Sequence, residues 1–289
     1  MSIITVFTPT YNRAYILPQL YKSLTRQTEK DFEWLIVDDG STDNTRDLIV
    51  KWQKEGLVDI RYYCQKNGGK HRAYNRGVKE AKGELFYTVD SDDYLPDNAL
   101  ERVMYHYSFI KNKKEFSGIC GCRYYHNNTR IGGDLDFDVI ECSQFYLRYQ
   151  MKVKGDMADV VKTEVLRQYP FPEIEGEKFC AESMIFDQMA DKYLIRFFNE
   201  NIYYCEYLPD GLTAKMTRIR MDSPRTTTLY YSVLYNLHIP LLQKIKASIN
   251  YWRFRQCIEG ECFYSLPWYC VFLYPFGYAL HVIDKKLTA

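Results

Sequence analysis

Residues 85–93 read Leu-Phe-Tyr-Thr-Val-Asp-Ser-Asp-Asp, an apolar run that ends in a cluster of carboxylates. An apolar and β-branched run of this length is typical of a buried strand. Carboxylates are costly to bury without partners, so the strand is expected to end where the cluster begins. The stretch therefore predicts a buried strand with a polar site at its carboxyl end.

Similar apolar runs lie on both sides of this stretch, with residues at helical spacing between them. The runs that predict strands are Ile3–Thr8, Trp34–Asp38, Arg61–Cys64, Leu85–Val89 and Gly118–Tyr124. Strands that alternate with helices in this way predict an α/β fold with parallel strands joined by crossover helices. In such sheets ligands bind beyond the carboxyl ends of the strands.

Polar clusters follow four of these strands. They are Thr8-Pro9-Thr10-Tyr11-Asn12-Arg13, Asp38-Asp39-Gly40-Ser41, Asn67-Gly68-Gly69-Lys70-His71-Arg72 and Asp90-Ser91-Asp92-Asp93. Each cluster alone is also typical of a turn or a helix start. Four such clusters at successive strand ends instead predict one shared binding site along a rim of the sheet.

The residue types along this rim indicate a site for a nucleotide diphosphate. The carboxylate oxygens of Asp90 and Asp92 suit a hard divalent cation, and Lys70 and Arg72 supply charge for an anion. The Gly68-Gly69 pair lets the backbone approach a diphosphate closely. Neither the Walker pattern nor the G-x-G-x-x-G dinucleotide pattern occurs along the rim, which favours a nucleotide site of another kind.

The composition narrows the class of protein further. The chain's 289 residues include 38 Lys and Arg against 37 Asp and Glu, a formal net charge of +1. This balance disfavours a general nucleic-acid binder, which needs a basic surface. Aromatic residues make up 16% of the chain, and amphipathic rings suit sugar faces, partner surfaces and membrane interfaces alike. The nine cysteines have no Cys-x-x-Cys spacing, so they predict no zinc site.

The four polar clusters, in this order, resemble the signature blocks of family 2 glycosyltransferases of the GT-A fold. The third block extends to Gly77 as NGGKHRAYNRG. The resemblance is specific over residues 1–125 and weaker to about residue 215. It implies a Rossmann-like mixed sheet flanked by helices and an inverting transferase that takes a sugar from a nucleotide-sugar, usually a UDP-sugar. It also implies a Mn²⁺ or Mg²⁺ ion held by a D-x-D element, here Asp90-Ser91-Asp92.

The resemblance also implies roles for single residues of the rim. Asp92 would be the direct metal ligand, with Asp90 as a second ligand that lies nearer the ribose. Tyr11 would stack on the base and Asp39 would form a hydrogen bond with it. The remaining residues implied for nucleotide-sugar binding are Pro9, Arg13, Lys70, Arg72 and Ser91.

Inverting transfer also needs a carboxylate that takes the proton of the acceptor hydroxyl. In the family an acidic pair at the start of a later helix provides it. Here Glu182 precedes a segment with an apolar helical face, and we expect it to be the base, although this chain has Glu182-Ser183 where the family pair reads Glu-Asp. Asp187 is the second candidate, about 140° around the helix from Glu182 at roughly 100° per residue.

The resemblance divides the chain into a catalytic domain, residues 1–215, and a C-terminal extension, residues 216–289. Within the catalytic domain, residues 1–125 would bind the nucleotide-sugar and residues 126–215 would form the acceptor side.

Three segments of the acceptor side have weaker patterns. Asn127–Glu141 is polar and predicts a surface loop, and Ala158–Leu166 predicts an edge element. Glu173, Glu175 and Glu177 form an acidic run that is typical of a solvated loop.

The C-terminal extension is rich in aromatic residues and is predicted to be helical. Thr226–Gln256 has a helical pattern interrupted near Pro240, and basic residues are interleaved with aromatic ones along it. Phe263–Ile283 follows, 21 residues without Asp, Glu, Lys or Arg. Pro267 and Pro275 make this segment a poor transmembrane helix. The extension therefore predicts contact with a membrane surface or a second subunit, and packing on the catalytic domain is the third alternative.

The sequence thus predicts a metal-dependent inverting glycosyltransferase for surface polysaccharide synthesis, with a saccharide or polyprenyl-linked acceptor and no nucleic-acid partner. The start of the chain, MSIITVFTPT, has no secretory-signal pattern, which predicts a cytoplasmic location. The resemblance implies a peripheral position at the inner face of the cell membrane, where family members with polyprenyl-linked acceptors work. Because the acidic pair is altered at Ser183, a non-catalytic nucleotide-sugar-binding or scaffold protein is the alternative from another class.

Overall fold

The computed structural model describes three stretches of the chain, residues 3–206, 216–260 and 264–288. They fall into two compact units. Unit 1 comprises residues 3–170 and 192–206, and unit 2 comprises residues 171–191 together with the described residues from 216 onward. The chain therefore leaves unit 1 after residue 170 and returns to it for one strand. The boundary predicted at residue 215 lies outside the described residues and stays a prediction.

Unit 1 contains an eight-stranded sheet with helices in the connections. The strands are β1 (Ile4–Thr10), β2 (Phe32–Asp38), β3 (Ile60–Cys64), β4 (Leu85–Thr88), β5 (Phe116–Tyr124), β6 (Val139–Cys142), β7 (Met157–Lys162) and β8 (Leu194–Tyr204). The helices are α1 (Leu17–Thr25), α2 (Thr45–Glu55), α3 (Lys70–Glu80), α4 (Ala99–Ser108) and α5 (Thr163–Leu166). Each strand and helix predicted in the first 125 residues is present, so the α/β prediction is confirmed.

The order of the strands in the sheet is β3-β2-β1-β4-β7-β5-β8-β6. Strands β3, β2, β1 and β4 are parallel neighbours. Strand β7 runs antiparallel between β4 and β5. Beyond β5, β8 is parallel to β5 and β6 is antiparallel to β8 at the far edge. The predicted mixed sheet is therefore confirmed, with its parallel half at the β3 end.

One prediction for the acceptor side is wrong, and a second is wrong at one end. The predicted edge element, Ala158–Leu166, contributes most of β7, which lies inside the sheet because its backbone pairs with β4 on one side and β5 on the other. The predicted surface loop, Asn127–Glu141, is present over residues 127–138, but its last three residues belong to β6, because Val139–Cys142 pairs with β8. Both errors concern strands whose partners are distant in the sequence.

Helices pack on both faces of the parallel half. On one face Val6 and Trp34 belong to a core that includes residues of α1, α2 and α4. On the other face Phe7 stacks on Phe86, with 4.9 Å between ring centroids. Helix α3 lies so close to this second face that a Cβ on Gly77 would come within 2.3 Å of the Phe7 ring. Gly77, at the end of the third block, therefore lets α3 lie close against the sheet.

Unit 2 is helical in the residues that the structure describes. Its elements are α6 (Ser183–Ala190), α7 (Met216–Asp222), α8 (Pro224–Asn236), α9 (Leu241–Arg255), a 3₁₀ turn (Trp268–Leu273) and α10 (Tyr274–Thr288). The predicted interruption near Pro240 is confirmed, because this proline is the N-cap of α9 and cannot continue α8. Phe263, the first residue of the predicted uncharged segment, lies outside the described residues. Within the described stretches, no helix has both the length and the apolar character that crossing a bilayer requires.

Candidate functional site

The first two polar clusters are fixed to each other at the rim of unit 1. Strands β1 and β2 end side by side, with Thr10 paired to Asp38. Beyond them the Asn12 N–H donates to Ser41 Oγ at 2.8 Å, and Asn12 Oδ1 accepts from the Thr42 N–H at 2.7 Å. Asn12 has a φ of 53°, a left-handed conformation that asparagine adopts more readily than most residues. The loops after β1 and β2 therefore form one connected surface.

Two ion pairs join basic residues of the first and third clusters to acidic residues of the fourth. Lys70 Nζ lies 2.6 Å from Asp90 Oδ1, and Arg13 Nη2 lies 3.9 Å from Asp92 Oδ2. All four side chains are partly exposed, so the pairs are open to solvent. The structure thus brings together four of the predicted residues, which come from the loops after β1, β3 and β4.

The carboxylates of Asp90 and Asp92 have pKa values shifted in opposite directions. Burial would raise the pKa of Asp90, but Lys70 and, more weakly, Arg123 and Arg13 outweigh it and lower the pKa. Burial and the charge of Asp90 raise the pKa of Asp92, which Arg13 offsets in part. A carboxylate whose negative charge is destabilised by its surroundings gains most from a bound cation. Of the two, that carboxylate is Asp92.

Asp93 has a structural partner that the sequence did not reveal. Its buried carboxylate accepts from the Tyr203 hydroxyl at 2.7 Å. The same hydroxyl oxygen accepts from the Asp90 N–H at 2.9 Å. Burial and the charge of Asp90 raise the pKa of Asp93 to about 8. Tyr203 belongs to β8, 110 residues further along the chain, so only the sheet topology brings it to the acidic cluster.

Asp39 holds the glycine loop of the third cluster. Its buried carboxylate accepts from the backbone N–H groups of Gly68 and Gly69, with the shortest contact, 2.7 Å, at Gly69. The side chains of Gln65 and Asn67 also donate to it, at 2.8 and 3.1 Å. A carboxylate accepts about four hydrogen bonds, so the loop occupies its acceptor positions. Asp39 therefore shapes this loop, and its contact with a base stays a prediction.

The other residues predicted to bind a nucleotide-sugar lie at the same rim. Tyr11 is 47% exposed, whereas Ser91 is buried. Pro9 is buried in β1, beyond the last residue that pairs with β4. Arg72 Nη1 donates to the Gly68 carbonyl oxygen at 2.6 Å, so Arg72 also supports the glycine loop. Among these residues Tyr11 presents an exposed ring suited to stacking.

The two candidate bases lie in unit 2. Glu182 is exposed and forms the N-cap of α6. Asp187 lies within α6, and its carboxylate accepts from the Tyr230 hydroxyl of α8 at 3.0 Å. Burial raises the pKa of Asp187 to about 6, although the bond from Tyr230 opposes the shift. Glu182 is thus the exposed carboxylate of the two, while Asp187 contacts a neighbouring helix.

The acidic run before α6 is not solvated throughout, so that prediction is wrong for Glu177. Its side chain is buried because the carboxylate accepts from the N–H groups of Arg225 and Thr226, at 2.7 and 2.8 Å. These N–H groups belong to the first turn of α8, which has no intrahelical acceptors for them. Glu177 therefore caps α8 and fixes the segment that leads to Glu182 within unit 2.

A cation at the rim would have few protein ligands. In residues 3–206, 216–260 and 264–288, no group of three or more His, Cys, Asp or Glu side chains is arranged to hold a metal ion. One or two carboxylates suffice for an ion that takes its other oxygen ligands from a bound diphosphate. Asp92, with its raised pKa and a loose pair to Arg13 at 3.9 Å, fits such a site better than Asp90, which lies 2.6 Å from Lys70.

The fold and the rim together define a class of protein. It is an α/β protein whose parallel strands end in linked loops with paired charges, the position at which such sheets bind nucleotides. The chain belongs to glycosyl transferase family 2, because the model of this family matches residues 5–163, more than half of its length. All four polar clusters and strands β2 to β7 lie within the matched range.

Curated relatives match part of the chain. The poly(ribitol-phosphate) β-N-acetylglucosaminyltransferase TarP of Staphylococcus aureus is 34% identical over 160 residues, which are 53% of this chain and 49% of TarP. The GalNAc(5)-diNAcBac-PP-undecaprenol β-1,3-glucosyltransferase of Campylobacter jejuni is 34% identical over 106 residues, 36% of this chain and 34% of the relative. An uncharacterised glycosyltransferase of Nostoc is 39% identical over 101 residues, 35% and 31% of the two chains. The chain therefore spans less than half the length of each of these relatives.

Solved structures with similar folds cover nearly the whole chain. TarS 1–349 of Staphylococcus aureus in complex with UDP has a TM-score of 0.65 at 19% identity, over 97% of this chain and 88% of that chain. The mannosyltransferase PcManGT of Pyrobaculum calidifontis, in complex with GDP-Man and Mn²⁺, has a TM-score of 0.57 at 17% identity, over 98% and 75%. At these identities the likeness concerns the fold, and the predicted GT-A fold is confirmed.

Proposed function

We propose that the chain is a metal-dependent inverting glycosyltransferase of surface polysaccharide synthesis. It would move a hexosyl or N-acetylhexosaminyl group from a nucleotide-sugar to a saccharide or lipid-linked acceptor. Membership of glycosyl transferase family 2 supports the transfer chemistry. The names of TarP and the Campylobacter relative specify a ribitol-phosphate polymer and an undecaprenol-linked saccharide, which supports the acceptor class. UDP in the TarS complex supports a UDP-sugar as donor.

The observation that carries the proposal is the set of opposite charges paired across one rim. Lys70 with Asp90, and Arg13 with Asp92, meet beside a glycine loop whose backbone Asp39 holds in place. Ion pairs that are open to solvent are weak and exchange partners readily. A donor diphosphate would take over the basic members of these pairs. The carboxylates released in this way would become available to a cation.

We place the proposed Mn²⁺ or Mg²⁺ ion at Asp92, with Asp90 as a second ligand. When bound, such an ion would stabilise the negative charge of the departing diphosphate as a Lewis acid. Lys70 and Arg72 would add positive charge, and Tyr11 would stack on the base. Pro9 and Ser91, both buried at the rim, would fix the backbone of the loops that carry these side chains.

In the proposed reaction Glu182 accepts the proton of the acceptor hydroxyl as that oxygen attacks the anomeric carbon of the donor sugar. The bond between the anomeric carbon and the phosphate oxygen breaks with inversion, and the nucleoside diphosphate departs with the electron pair. Asp187 is the second candidate base, because it lies within α6 and is less exposed than Glu182. General-base assistance of this kind contributes about a hundredfold to ten-thousandfold in rate.

We further propose a cytoplasmic location, peripheral at the inner face of the cell membrane. A nucleotide-sugar dissolves in water, whereas a polyprenyl-linked acceptor stays in the bilayer, so the enzyme has to reach both. Contact with a second copy of the chain is the alternative use of the C-terminal extension.

A donor screen tests the proposed function. The full chain is incubated with UDP-, GDP-, CDP- and dTDP-sugars and Mn²⁺, and the release of nucleoside diphosphate is measured. We expect slow hydrolysis of a UDP-sugar that EDTA abolishes and Mn²⁺ restores. If no nucleotide-sugar is hydrolysed or bound, with or without metal, the proposal fails. If one is bound but neither hydrolysed nor transferred to any acceptor, the chain is the non-catalytic binding or scaffold protein instead.

A further inference from the structure

Helix α10 has its polar and apolar faces reversed relative to an ordinary surface helix. Its buried side consists of Gly277, His281 and Asp284, whose spacing places them on one helical face. Its exposed side carries apolar and aromatic residues, among them Phe276, which is 61% exposed, and Leu287, which is 79% exposed. A helix between a protein core and water normally buries its apolar face. The reversal indicates that the exposed side of α10 contacts something other than water.

Specific contacts with α9 fix this orientation. The Asp284 carboxylate accepts from Arg253 Nε at 2.5 Å and from Nη2 at 2.6 Å, a bidentate pair. A Cβ on Gly277 would come within 2.5 Å of Trp252 Cβ, so the glycine lets the two helices approach closely. The apolar side of α10 is therefore held outward by the packing of its polar side.

The 3₁₀ turn before α10 continues the apolar surface and is anchored in the same way. Cys270 is buried, and its carbonyl oxygen accepts from Trp252 Nε1 at 2.8 Å. On either side of this anchor Trp268 is 79% exposed and Phe272 is 72% exposed. We call the exposed apolar residues of the turn and the helix the outer face. Its members are Trp268, Tyr269, Val271, Phe272, Tyr274, Phe276, Tyr278, Val282, Ile283 and Leu287.

The outer face is uncharged and has a basic border. From residue 264 to residue 283 the sequence contains no Asp, Glu, Lys or Arg. The next residue, Asp284, is buried, and it is followed by Lys285 and Lys286, both exposed in the last turns of α10. Over residues 241–289 the sequence has six Lys and Arg against three Asp and Glu. A ligand of the outer face should therefore be apolar at its centre and negatively charged beside it.

We propose that the outer face binds the surface of a membrane that contains anionic phospholipid, with α10 lying in the plane of the headgroups. Six of its ten residues are aromatic, and Trp and Tyr rings favour the boundary between headgroups and acyl chains. The basic border complements anionic headgroups. Two copies of the outer face would bring lysines together without acidic partners, so charge complementarity favours lipid over a second copy.

This inference gives the proposed peripheral location a physical site. It concerns unit 2 alone, and its test measures binding without using transferase activity. Failure of the donor screen would leave it standing, and failure of membrane binding would leave the transferase proposal standing.

Vesicle sedimentation provides the first test. The full chain is mixed with vesicles of phosphatidylcholine, with or without phosphatidylglycerol, and the bound fraction is measured. We expect stronger binding to the anionic vesicles, and a loss of about tenfold or more in partition for Phe272→Glu, because a charge replaces an exposed ring that the bilayer would bury. Leu57→Glu is the matched control, since Leu57 is 64% exposed in unit 1, and it should leave binding unchanged. The double variant Lys285→Gln, Lys286→Gln should lower binding to anionic vesicles without affecting binding to neutral ones.

Quenching of tryptophan fluorescence by brominated phosphatidylcholine provides the second test. Trp34 and Trp52 are buried and Trp252 is partly buried, whereas Trp268 is exposed on the outer face. We expect the vesicles to quench the fluorescence of the chain, and Trp268→Phe to remove most of the quenching while sedimentation persists. Contact between two protein copies brings no bromine near Trp268, so this readout separates lipid from a second copy.

Three results would overturn the proposal. The first is no sedimentation with either kind of vesicle. The second is sedimentation that Phe272→Glu leaves unchanged while its circular dichroism is that of the wild type. The third is a dimer in light scattering that Phe272→Glu dissociates, without quenching of Trp268 by lipid, which would make a second copy of the chain the occupant.

Discussion

The rim of unit 1 and the outer face of unit 2 depart in opposite ways from the usual distribution of side chains. At the rim, charged groups are drawn into partly buried positions, and the chain provides their partners, as in Lys70 with Asp90. On the outer face, apolar groups are exposed, and the described part of the chain does not cover them. A charged site can therefore keep its side chains paired with one another until a ligand takes the place of one partner. An exposed apolar face has no partner within the described part of the chain, so only a second surface can remove it from water.

The largest effect is expected at Glu182, which belongs to neither region. Glu182→Gln keeps the size of the side chain but removes its basicity, so transfer to an acceptor should fall by about a thousandfold. Donor binding and vesicle binding should both be unchanged, because the variant alters neither the rim nor the outer face. Transfer is measured by the release of nucleoside diphosphate in the presence of acceptor.

Asp187→Asn is the matched control for Glu182→Gln. If Asp187 only pairs with Tyr230, this variant should retain most of the transfer rate. If Asp187→Asn loses transfer activity while Glu182→Gln transfers at the normal rate, Asp187 is the base and Glu182 is not.

The next largest effect is expected at the rim. Asp92→Asn removes the carboxylate that has most to gain from a cation, so Mn²⁺-dependent donor hydrolysis should fall by about a hundredfold, or about 2.7 kcal/mol. Vesicle binding should not change, since the outer face lies in unit 2. Isothermal titration calorimetry of the protein with UDP, with and without Mn²⁺, measures how far the metal strengthens nucleotide binding. If Asp92→Asn keeps its Mn²⁺ dependence, the metal ligand is another residue.

A buried charge near the start of β2, at the end of the strand away from the rim, provides a test of the stability of unit 1. Glu33 is 1% exposed, and its carboxylate accepts from Arg61, Thr5 and the Lys82 N–H at 2.6 to 2.9 Å. Glu33→Gln should lower the free energy of unfolding of unit 1 by about 3 kcal/mol, because it removes the nearer charged partner of Arg61, at 2.9 Å, and leaves only the looser pair with Glu80, at 3.6 Å. Denaturation followed by the fluorescence of the two tryptophans buried in unit 1 measures the loss.

The same residue predicts how the stability of unit 1 depends on pH. Burial would raise the pKa of Glu33, but hydrogen bonds from Arg61 and Thr5 outweigh it and lower the pKa below its ordinary value of 4.5. The ionised form is thus favoured by folding, so its contribution is complete above about pH 4.5 and is lost as the pH falls through the lower pKa of the folded state. In Glu33→Gln this part of the acid sensitivity should disappear, and an unchanged acid midpoint would contradict the assignment.

The smallest effect is expected at the contact that orients the outer face. Gly277→Ala places a Cβ against Trp252 and the backbone of α9, so unit 2 should lose about 1 to 3 kcal/mol of stability. Ala279→Gly is the matched control, because Ala279 is exposed on the same helix and its change should cost about 1 kcal/mol through helix propensity alone. Thermal unfolding followed by circular dichroism compares the two variants, and equal losses would mean that Gly277 does not set the spacing of the helices.

The parallel half of the fold could be predicted from the sequence because its information is local. Residues 85–93 contain both a strand and its polar end, and the clusters after β1, β2 and β3 repeat the arrangement. The place of β7 inside the sheet could not be predicted, because its pairing with β4 and β5 joins residues far apart in the chain.

The same reason limits what could be predicted of the candidate site. The acidic and basic clusters were visible as motifs, but Tyr203, which supports Asp93, carries no signal of its own. The burial of Glu177 could not be predicted, because its partners lie in the first turn of α8, far away in the sequence. The sequence also could not predict which side of α10 faces inward, because apolar residues occur on most sides of the helix. Only its contacts with α9 show which side faces inward.

Strand β8 determines when the acidic cluster can be completed as the chain leaves the ribosome. Residues 171–191 belong to unit 2, so synthesis passes through that unit before β8 appears. Until then Asp93 lacks the Tyr203 hydroxyl, and β6 lacks β8, its one neighbour in the sheet. Domains tend to fold from the N-terminus during synthesis, yet here the acidic cluster has to wait for a strand encoded some hundred residues later. A nascent chain that stalls before residue 192 would therefore display Asp90-Ser91-Asp92 without the tyrosine whose hydroxyl accepts from the Asp90 N–H.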